Sequence, residues 1–179
     1  HFLFLRILLF SCVRRYNLFF ELRKVSLNFA KDIKHRIMKK IRFGVVGTNN
    51  ITDWVIAGAR QDERFELTAV CSRTQERADE FAAKHGIPHT FISLEEMAKS
   101  PLIDAVYIAP PNYVHAEQSI LSMSYGKHVL CEKPFASNAR EVKQMIEAAR
   151  KYGVTLIEAM ISTLNPNFTI VKEHLKDLG

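Results

Sequence analysis

The sequence has few cysteines, and their positions do not suggest that they pair with one another or bind a metal together. Its 179 residues include three, Cys12, Cys71 and Cys131, which are odd in number, far apart and free of any CxxC spacing. This pattern argues against a disulfide framework and against a zinc site, so we predict no bound metal. Unpaired thiols are typical of a reducing compartment, and we therefore expect the protein to be cytoplasmic.

The sequence also lacks an apolar run of the ~20 residues that a membrane-spanning helix requires. The apolar segment from Phe2 to Phe10 is interrupted by Arg6, and Arg14 and Arg15 follow it closely. It has neither the charged n-region nor the small-residue cleavage site of a signal peptide. A basic amphipathic helix on a membrane surface is the alternative for this part of the chain. We do not expect the protein to act at a membrane.

Most of the chain has no excess of positive charge. Residues 1–40 hold ten of the 25 lysines and arginines but only two of the 19 acidic residues. The remainder then has 15 basic and 17 acidic residues, so the net charge of +6 belongs to the first 40. A domain without a basic excess has no electrostatic reason to bind nucleic acid, and we expect no such partner.

Residues 1–40 form a leader that differs from the rest of the chain. The sequence does not begin with methionine, whereas Met38-Lys39-Lys40-Ile41 resembles a natural start that leads directly into a strand. We expect residues 1–37 to be translated upstream sequence or a cloning remnant, either disordered or helical. We therefore expect them to form no part of the fold.

Beyond residue 40, short apolar segments alternate with amphipathic ones. This alternation predicts a parallel sheet covered by helices on both faces, the doubly wound, Rossmann-like α/β fold. Glycine, proline and capping residues mark the ends of the elements. We predict strands over 41–46, 65–71, 88–91, 104–109, 127–131 and 154–158, and helices over 52–60, 74–84, 94–99, 114–125, from a Ser137 cap to 152, and 167–178.

The turn after the first strand is the first candidate binding site. Backbone N–H groups at a helix N-terminus lack intrahelical partners, and a pyrophosphate can accept hydrogen bonds from them. Of the three small positions in the Gly-x-Gly-x-x-Gly/Ala fingerprint, only Gly47 fits, because Asn49 and Thr52 occupy the other two. We expect Asn49 to be tolerated in a left-handed conformation, with its side chain near the phosphates. An ordinary strand-to-helix turn is the alternative.

Polar residues and prolines also follow the other strands, at the edge where open parallel sheets bind ligands. An acidic residue ~20 positions beyond the glycine turn binds the ribose 2′-hydroxyl in many dinucleotide folds. This chain has Ser72 and Arg73 there, a hydroxyl and a guanidinium that suit a 2′-phosphate. The pair favours NADP over NAD, although Arg73 could instead be an ordinary solvated residue.

The segment after the fifth predicted strand is the strongest chemical candidate. Lys133 at the mouth of an apolar sheet could bind a substrate hydroxyl and lower its pKa while the hydride leaves the same carbon. An ordinary surface pair with Glu132 is the alternative. After the fourth strand, the Asn112 amide can satisfy a carboxamide, whereas a lone His115 is more often a capping or packing residue.

Five segments of the chain form a combined pattern: Phe43 to Thr48, Ala69 to Ala78, Ile108 to His115, Gly126 to Pro134 and Leu156 to Met160. Together they resemble the N-terminal half of the Gfo/Idh/MocA oxidoreductases. The resemblance implies an NAD(P)-dependent dehydrogenase or reductase that acts on sugars, polyols or related compounds, and it gives Lys133 the catalytic lysine role. We predict cofactor contacts from Gly47, Thr48, Asn49, Asn50, Ile51, Ser72, Arg73, Ala109, Pro110, Asn112, His115, Glu132 and Lys133.

The resemblance also implies a second α/β domain that holds the substrate and often forms a homo-oligomer interface. We expect residues 41–160 to be the dinucleotide-binding domain and 161–179 to be a crossover helix towards a missing substrate domain. A non-catalytic nucleotide-binding module, or an inactive truncated product, is the alternative to an enzyme.

Overall fold

The computed structural model describes residues 40–160 and 166–175, with only the backbone described at Pro166 and Thr169. The predictions for the leader lie outside these residues, as do parts of the predicted crossover segment.

The described chain forms one six-stranded sheet in which every pairing is parallel. The strand order is β3-β2-β1-β4-β5-β6, which confirms the predicted doubly wound α/β fold. The strands are β1 Ile41–Val46, β2 Phe65–Cys71, β3 His89–Phe91, β4 Ala105–Ile108, β5 His128–Cys131 and β6 Leu156–Glu158. The helices are α1 Asn50–Ala59, α2 Gln75–His85, α3 Leu94–Lys99, α4 His115–Ser124, α5 Ala139–Tyr152 and α6 Pro166–His174, and a 3-10 turn at Asn112–Val114 precedes α4.

Two predicted helix starts were wrong, because each helix is capped by an asparagine to which the sequence had not assigned that role. Helix α1 begins at Asn50 rather than at Thr52, since the side chain of Asn49 accepts a hydrogen bond from the Thr52 N–H. Helix α5 is capped by Asn138 rather than by Ser137, since Asn138 Oδ1 accepts from the Glu141 N–H at 3.0 Å. Ser137 instead donates its backbone N–H to the Glu141 carboxylate.

Side chains that alternate along the strands form two cores, one on each face of the sheet. On one face, the row Val45, Tyr107 and Leu130 packs with Ile56 of α1 and Phe81 of α2. The opposite core contains Val46, Ile108 and Cys131 from the strands and Met97, Met123 and Met145 from α3, α4 and α5. The central strands therefore have side chains buried on both faces, which explains their short, nearly continuous apolar runs. The edge strand β3 differs, because it begins with exposed His89.

The order of the strands reverses between β1 and β4, which lie side by side at the centre of the sheet. Their loops leave in opposite directions along the sheet and open a crevice at its carboxyl edge, where doubly wound folds bind ligands. None of the helices in the described ranges has the length and apolarity that crossing a bilayer would need.

Candidate functional site

The turn after β1 approaches the end of β4 so closely that only glycine fits. Gly47 has φ +100°, and a Cβ built on it would lie 2.7 Å from the carbonyl oxygen of Ala109. Both the positive φ and the backbone contact exclude an L side chain. The fold therefore brings Gly47 and Ala109 together at the centre of the crevice.

Asn49 keeps this turn in shape, but not in the way the sequence suggested. Its φ is −109°, so the expected left-handed conformation was wrong. Its side-chain oxygen accepts from the Thr52 N–H at 3.1 Å, and its side-chain nitrogen donates to the Ala109 oxygen at 2.7 Å. The hydroxyl of buried Thr52 in turn donates to the Gly47 oxygen at 2.9 Å. The amide is thus committed to the helix cap and to the neighbouring loop.

The N-terminus of α1 presents unused hydrogen-bond donors to the crevice. Within the described part of the chain, the backbone N–H groups of Asn50 and Ile51 have no acceptor, as expected for a first helical turn. The helix dipole adds positive potential at this end of the ten-residue helix. The glycine turn and these donors fit a pyrophosphate. Trp54, the single tryptophan of the chain, follows in the same helix and is 72% exposed.

The ends of β2 and β4 flank this turn. Ser72 is half-buried, and its N–H donates to the Phe91 oxygen at 3.0 Å. Arg73 is exposed and has no ion pair with any residue the structure describes, so its guanidinium is available. After β4, Pro110 is half-buried and Asn112 is exposed at the start of the 3-10 turn.

His115 lies under the rim rather than on it, because it is only 1% exposed. Its Nδ1 lies 2.9 Å from the Pro134 oxygen and its Nε2 lies 2.9 Å from the Pro110 oxygen. The ring therefore connects the loop after β4 to the loop after β5.

Side chains fix the backbone of the loop after β5 at three consecutive residues, Lys133, Pro134 and Phe135. The Glu132 carboxylate, 5% exposed, accepts from the Tyr107 hydroxyl at 2.7 Å and from the Lys133 N–H at 3.1 Å. His115 contacts the Pro134 oxygen, and Glu158 accepts from the Phe135 N–H at 3.0 Å. The Lys133–Pro134 peptide bond is cis.

The Lys133 side chain is exposed and pairs with no carboxylate among the described residues. The expected alternative of a surface ion pair with Glu132 is therefore wrong, because Glu132 contacts only the backbone of Lys133. The ammonium group is left free at the carboxyl edge, above a loop whose backbone is held by hydrogen bonds.

Burial decides the state of the other ionisable groups in this region. It raises the pKa of the Tyr107 phenol, and the hydrogen bond to Glu132 raises it further, so this phenol is the donor. Burial also raises the pKa of the Cys71 thiol to about 11 and that of the Cys131 thiol to about 12. Neither thiol is a nucleophile at neutral pH.

Tyr107 and Glu158 are the two residues of this site that the sequence analysis did not single out. Tyr107 lies within an apolar strand segment, and nothing local shows that its hydroxyl reaches a residue in the next strand. Glu158 ends β6 and lies within a segment that carries the family resemblance, but no motif assigned it a contact.

Residues 41–160 match the model of an oxidoreductase family with an NAD-binding Rossmann fold, GFO_IDH_MocA. The chain belongs to the Gfo/Idh/MocA family. The match covers all six strands of the sheet and the loops that follow β1 to β5.

Relatives within the Gfo/Idh/MocA family are similar in sequence and in fold. The chain is 57% identical over 139 residues to the scyllo-inositol 2-dehydrogenase (NADP(+)) IolU of Bacillus subtilis, covering 78% of this chain and 42% of that protein. The crystal structure of the 3-ketoreductase KijD10 of Actinomadura kijaniata, with NADP and TDP-benzene, is 28% identical with a TM-score of 0.73 and covers 78% of this chain and 43% of that one.

A third similar structure is the WlbA dehydrogenase of Bordetella pertussis in complex with NADH and UDP-GlcNAcA. It is 31% identical with a TM-score of 0.72, and the match covers 78% of this chain and 42% of that one. The chain thus spans about two-fifths of the length of the relatives it matches.

Proposed function

We propose that this chain is the cofactor-binding part of an oxidoreductase that transfers a hydride between NADP and a sugar, a polyol or a related compound. The observation that carries this proposal is the turn at Gly47. Its close approach to Ala109 and the unused N–H groups of Asn50 and Ile51 form a site that suits the pyrophosphate of a dinucleotide.

The preference for NADP over NAD rests on Ser72 and Arg73. Both follow β2, on the side of the crevice where the adenosine half of a dinucleotide lies. An exposed guanidinium without an ion pair among the described residues can hold a 2′-phosphate through charge-assisted hydrogen bonds. The NADP dependence named for the Bacillus relative supports the same preference.

Lys133 is the residue we propose to act on the substrate. The bound nicotinamide supplies the hydride chemistry. In reduction, the Lys133 ammonium donates a hydrogen bond to the carbonyl oxygen and gives it a proton as the hydride reaches the carbon. In oxidation, the same nitrogen, as the amine, takes the hydroxyl proton as the hydride leaves. The contacts of Glu132, His115 and Glu158 hold the backbone on both sides of this lysine in one place.

The substrate class rests on the relatives, one of which is an inositol dehydrogenase. We propose that residues 41–160 form the cofactor-binding unit, that residues 161–179 lead towards a substrate-binding unit, and that this second unit supports homo-oligomers. The two buried free thiols, Cys71 and Cys131, fit a reducing compartment, and we propose the cytoplasm as the location.

Titration of the purified chain with NADPH and with NADH, followed by nicotinamide fluorescence, tests the proposed function. We expect saturable binding of both, with higher affinity for NADPH. Binding together with oxidation of a polyol by NADP would support an enzyme, and binding without turnover of any polyol or sugar would support a nucleotide-binding module. A folded chain that binds neither nucleotide at millimolar concentration would contradict the proposal.

A further inference from the structure

Tyr107 is a polar residue in the middle of an apolar core. It is 1% exposed and lies in register between Val45 of β1 and Leu130 of β5. A tyrosine hydroxyl at such a depth needs a hydrogen-bond partner, because burying it unpaired costs free energy. The partner is Oε1 of Glu132, at 2.7 Å.

Glu132 is a buried carboxylate with unused acceptor capacity. Its two oxygens offer about four acceptor positions. Within the described residues they receive two donors, the Tyr107 hydroxyl on Oε1 and the Lys133 N–H on Oε2. No cation pairs with it in the described ranges, so the Tyr107 hydroxyl is the side-chain donor that sets the orientation of the carboxylate.

The position of this pair in the sheet determines which part of the cofactor it serves. In a doubly wound fold, each half of the sheet binds one nucleotide of the dinucleotide. Gly47 and Arg73 follow strands of the half that begins with β1, whereas Glu132 and Lys133 follow β5, in the half beyond the crevice. Glu132 therefore lies on the nicotinamide side if the adenosine half lies at Arg73.

We propose that Tyr107 is a positioning residue for the nicotinamide half of the cofactor, acting through the carboxylate of Glu132 and the backbone of Lys133. This inference rests on the proposed function. Without the phenol hydroxyl, Oε1 of Glu132 loses its hydrogen-bond partner inside the core. The carboxylate is then free to rotate, and its other oxygen no longer has to stay in place to accept from the Lys133 N–H. The Tyr107 hydroxyl donates to Glu132 and not to the turn at Gly47 or to Arg73, so we expect the adenosine side to be unaffected by its loss.

Tyr107→Phe removes the hydroxyl and keeps the ring, so it separates the hydrogen bond from the packing. The two probes are NADPH and adenosine 2′,5′-bisphosphate, which carries the adenosine half and the 2′-phosphate but no nicotinamide. We expect NADPH to bind about tenfold more weakly, because the variant has to restore the orientation of Glu132 when the cofactor binds, and the bisphosphate to bind within about twofold of wild type.

Tyr125→Phe is the matched control. Its hydroxyl also donates to a carboxylate, Oε1 of Glu95 at 2.8 Å, but this pair is exposed and lies at the end of α4 away from the carboxyl edge. We expect it to leave the affinity of both probes unchanged. A Tyr107→Phe variant that weakens both probes equally, or neither, overturns the inference.

A second variant keeps the test decisive if Tyr107→Phe does not fold. Glu132→Gln retains Tyr107 and should show the same selective loss for NADPH, and an equal loss for both probes would overturn the inference. Where both variants fold, Tyr107→Phe should have a much smaller effect in the Glu132→Gln background than in wild type. A wild-type chain that binds the bisphosphate and NADPH equally well contradicts this inference alone, whereas one that binds neither contradicts the proposed function.

Discussion

The side-chain nitrogen of Asn49 donates a 2.7 Å hydrogen bond to the carbonyl oxygen of Ala109, and this bond joins the turn after β1 to the end of β4. The same side chain caps α1 through Thr52. One amide therefore fixes the helix N-terminus and the crevice wall together. The departure from glycine at this position keeps the binding turn intact, because the amide forms contacts that a glycine cannot make.

Asn49→Ala should lower the free energy of unfolding by ~1–2 kcal/mol, the usual cost of losing an asparagine cap, and should also weaken NADPH binding. Urea unfolding and fluorescence titration measure the two effects. Asn138→Ala is the control, because it removes the cap of α5 in the same way without a contact to the Gly47 turn. Equal loss of NADPH affinity in both variants would show that Asn49 has no special role at the turn.

Gly47→Ala should abolish NADPH binding and destabilise the fold by ~1–3 kcal/mol, because φ is +100° and the new Cβ would meet the Ala109 oxygen. Gly58→Ala in α1 is the matched control. A Cβ there meets nothing within 4 Å, so this change should stabilise the helix by ~0.4–1 kcal/mol and leave binding unchanged. Normal NADPH affinity in Gly47→Ala would exclude the turn as the pyrophosphate site.

Arg73→Ala should weaken NADPH binding by about tenfold or more and NADH binding by much less, since the lost bond is to the 2′-phosphate. Arg77→Ala, in the first turn of α2 and also exposed, should change neither affinity. If Arg73→Ala weakens both nucleotides equally, the preference for NADP has no basis at this residue.

Lys133→Ala should leave the affinity for NADPH within about threefold, because its ammonium acts on the substrate oxygen. Turnover of a polyol by the active enzyme should be lost. Equilibrium titration and steady-state assays separate the two effects. A collapse of NADPH affinity would instead make Lys133 mainly a ligand of the cofactor.

The ion pair between Asp62 and Arg64, in the loop before β2, should make the stability of the fold depend on pH independently of the crevice. Hydrogen bonds from the Arg64 guanidinium lower the pKa of the Asp62 carboxyl below 3.8. A lowered pKa contributes stability at every pH above the unfolded value, and that contribution disappears as the pH falls through the folded value. Asp62→Asn should therefore cost about 1–2 kcal/mol at neutral pH, and the difference from wild type should shrink below pH ~4.

Urea unfolding of wild type and Asp62→Asn between neutral pH and pH ~3 measures this difference in stability. The affinity for NADPH at neutral pH should be unchanged, because Asp62 and Arg64 lie at the opposite edge of the sheet from the crevice. A difference in stability that is constant with pH would show that the ion pair does not act through the charge of Asp62.

The sheet could be predicted from the sequence because its central strands β1, β4 and β5 are largely apolar and are soon followed by a glycine, a proline or a polar residue. Gly47, Arg73, Asn112 and Lys133 were all expected at one edge because they follow strands of a parallel sheet, and the topology places them there. The family resemblance rested on the same loops, and the match over residues 41–160 confirms it.

What the sequence could not show depends on contacts between distant residues. The bonds from Tyr107 to Glu132 and from Asn49 to Ala109 span 25 and 60 positions. Capping was misjudged for a local reason, since Ser137 and Asn138 are both good caps and only the final turn geometry decides between them. The burial of His115 depends on two loops closing over it, which no local pattern encodes.

The position of Trp54 gives the protein an intrinsic optical probe. It is the single indole of the chain, and it lies one turn into the helix whose N-terminus faces the crevice. Its emission overlaps the absorption of a reduced nicotinamide, so energy transfer from Trp54 would report occupancy of the crevice without any label. An oxidised nucleotide lacks that absorption band, which means that the same ring would also report the redox state of whatever is bound.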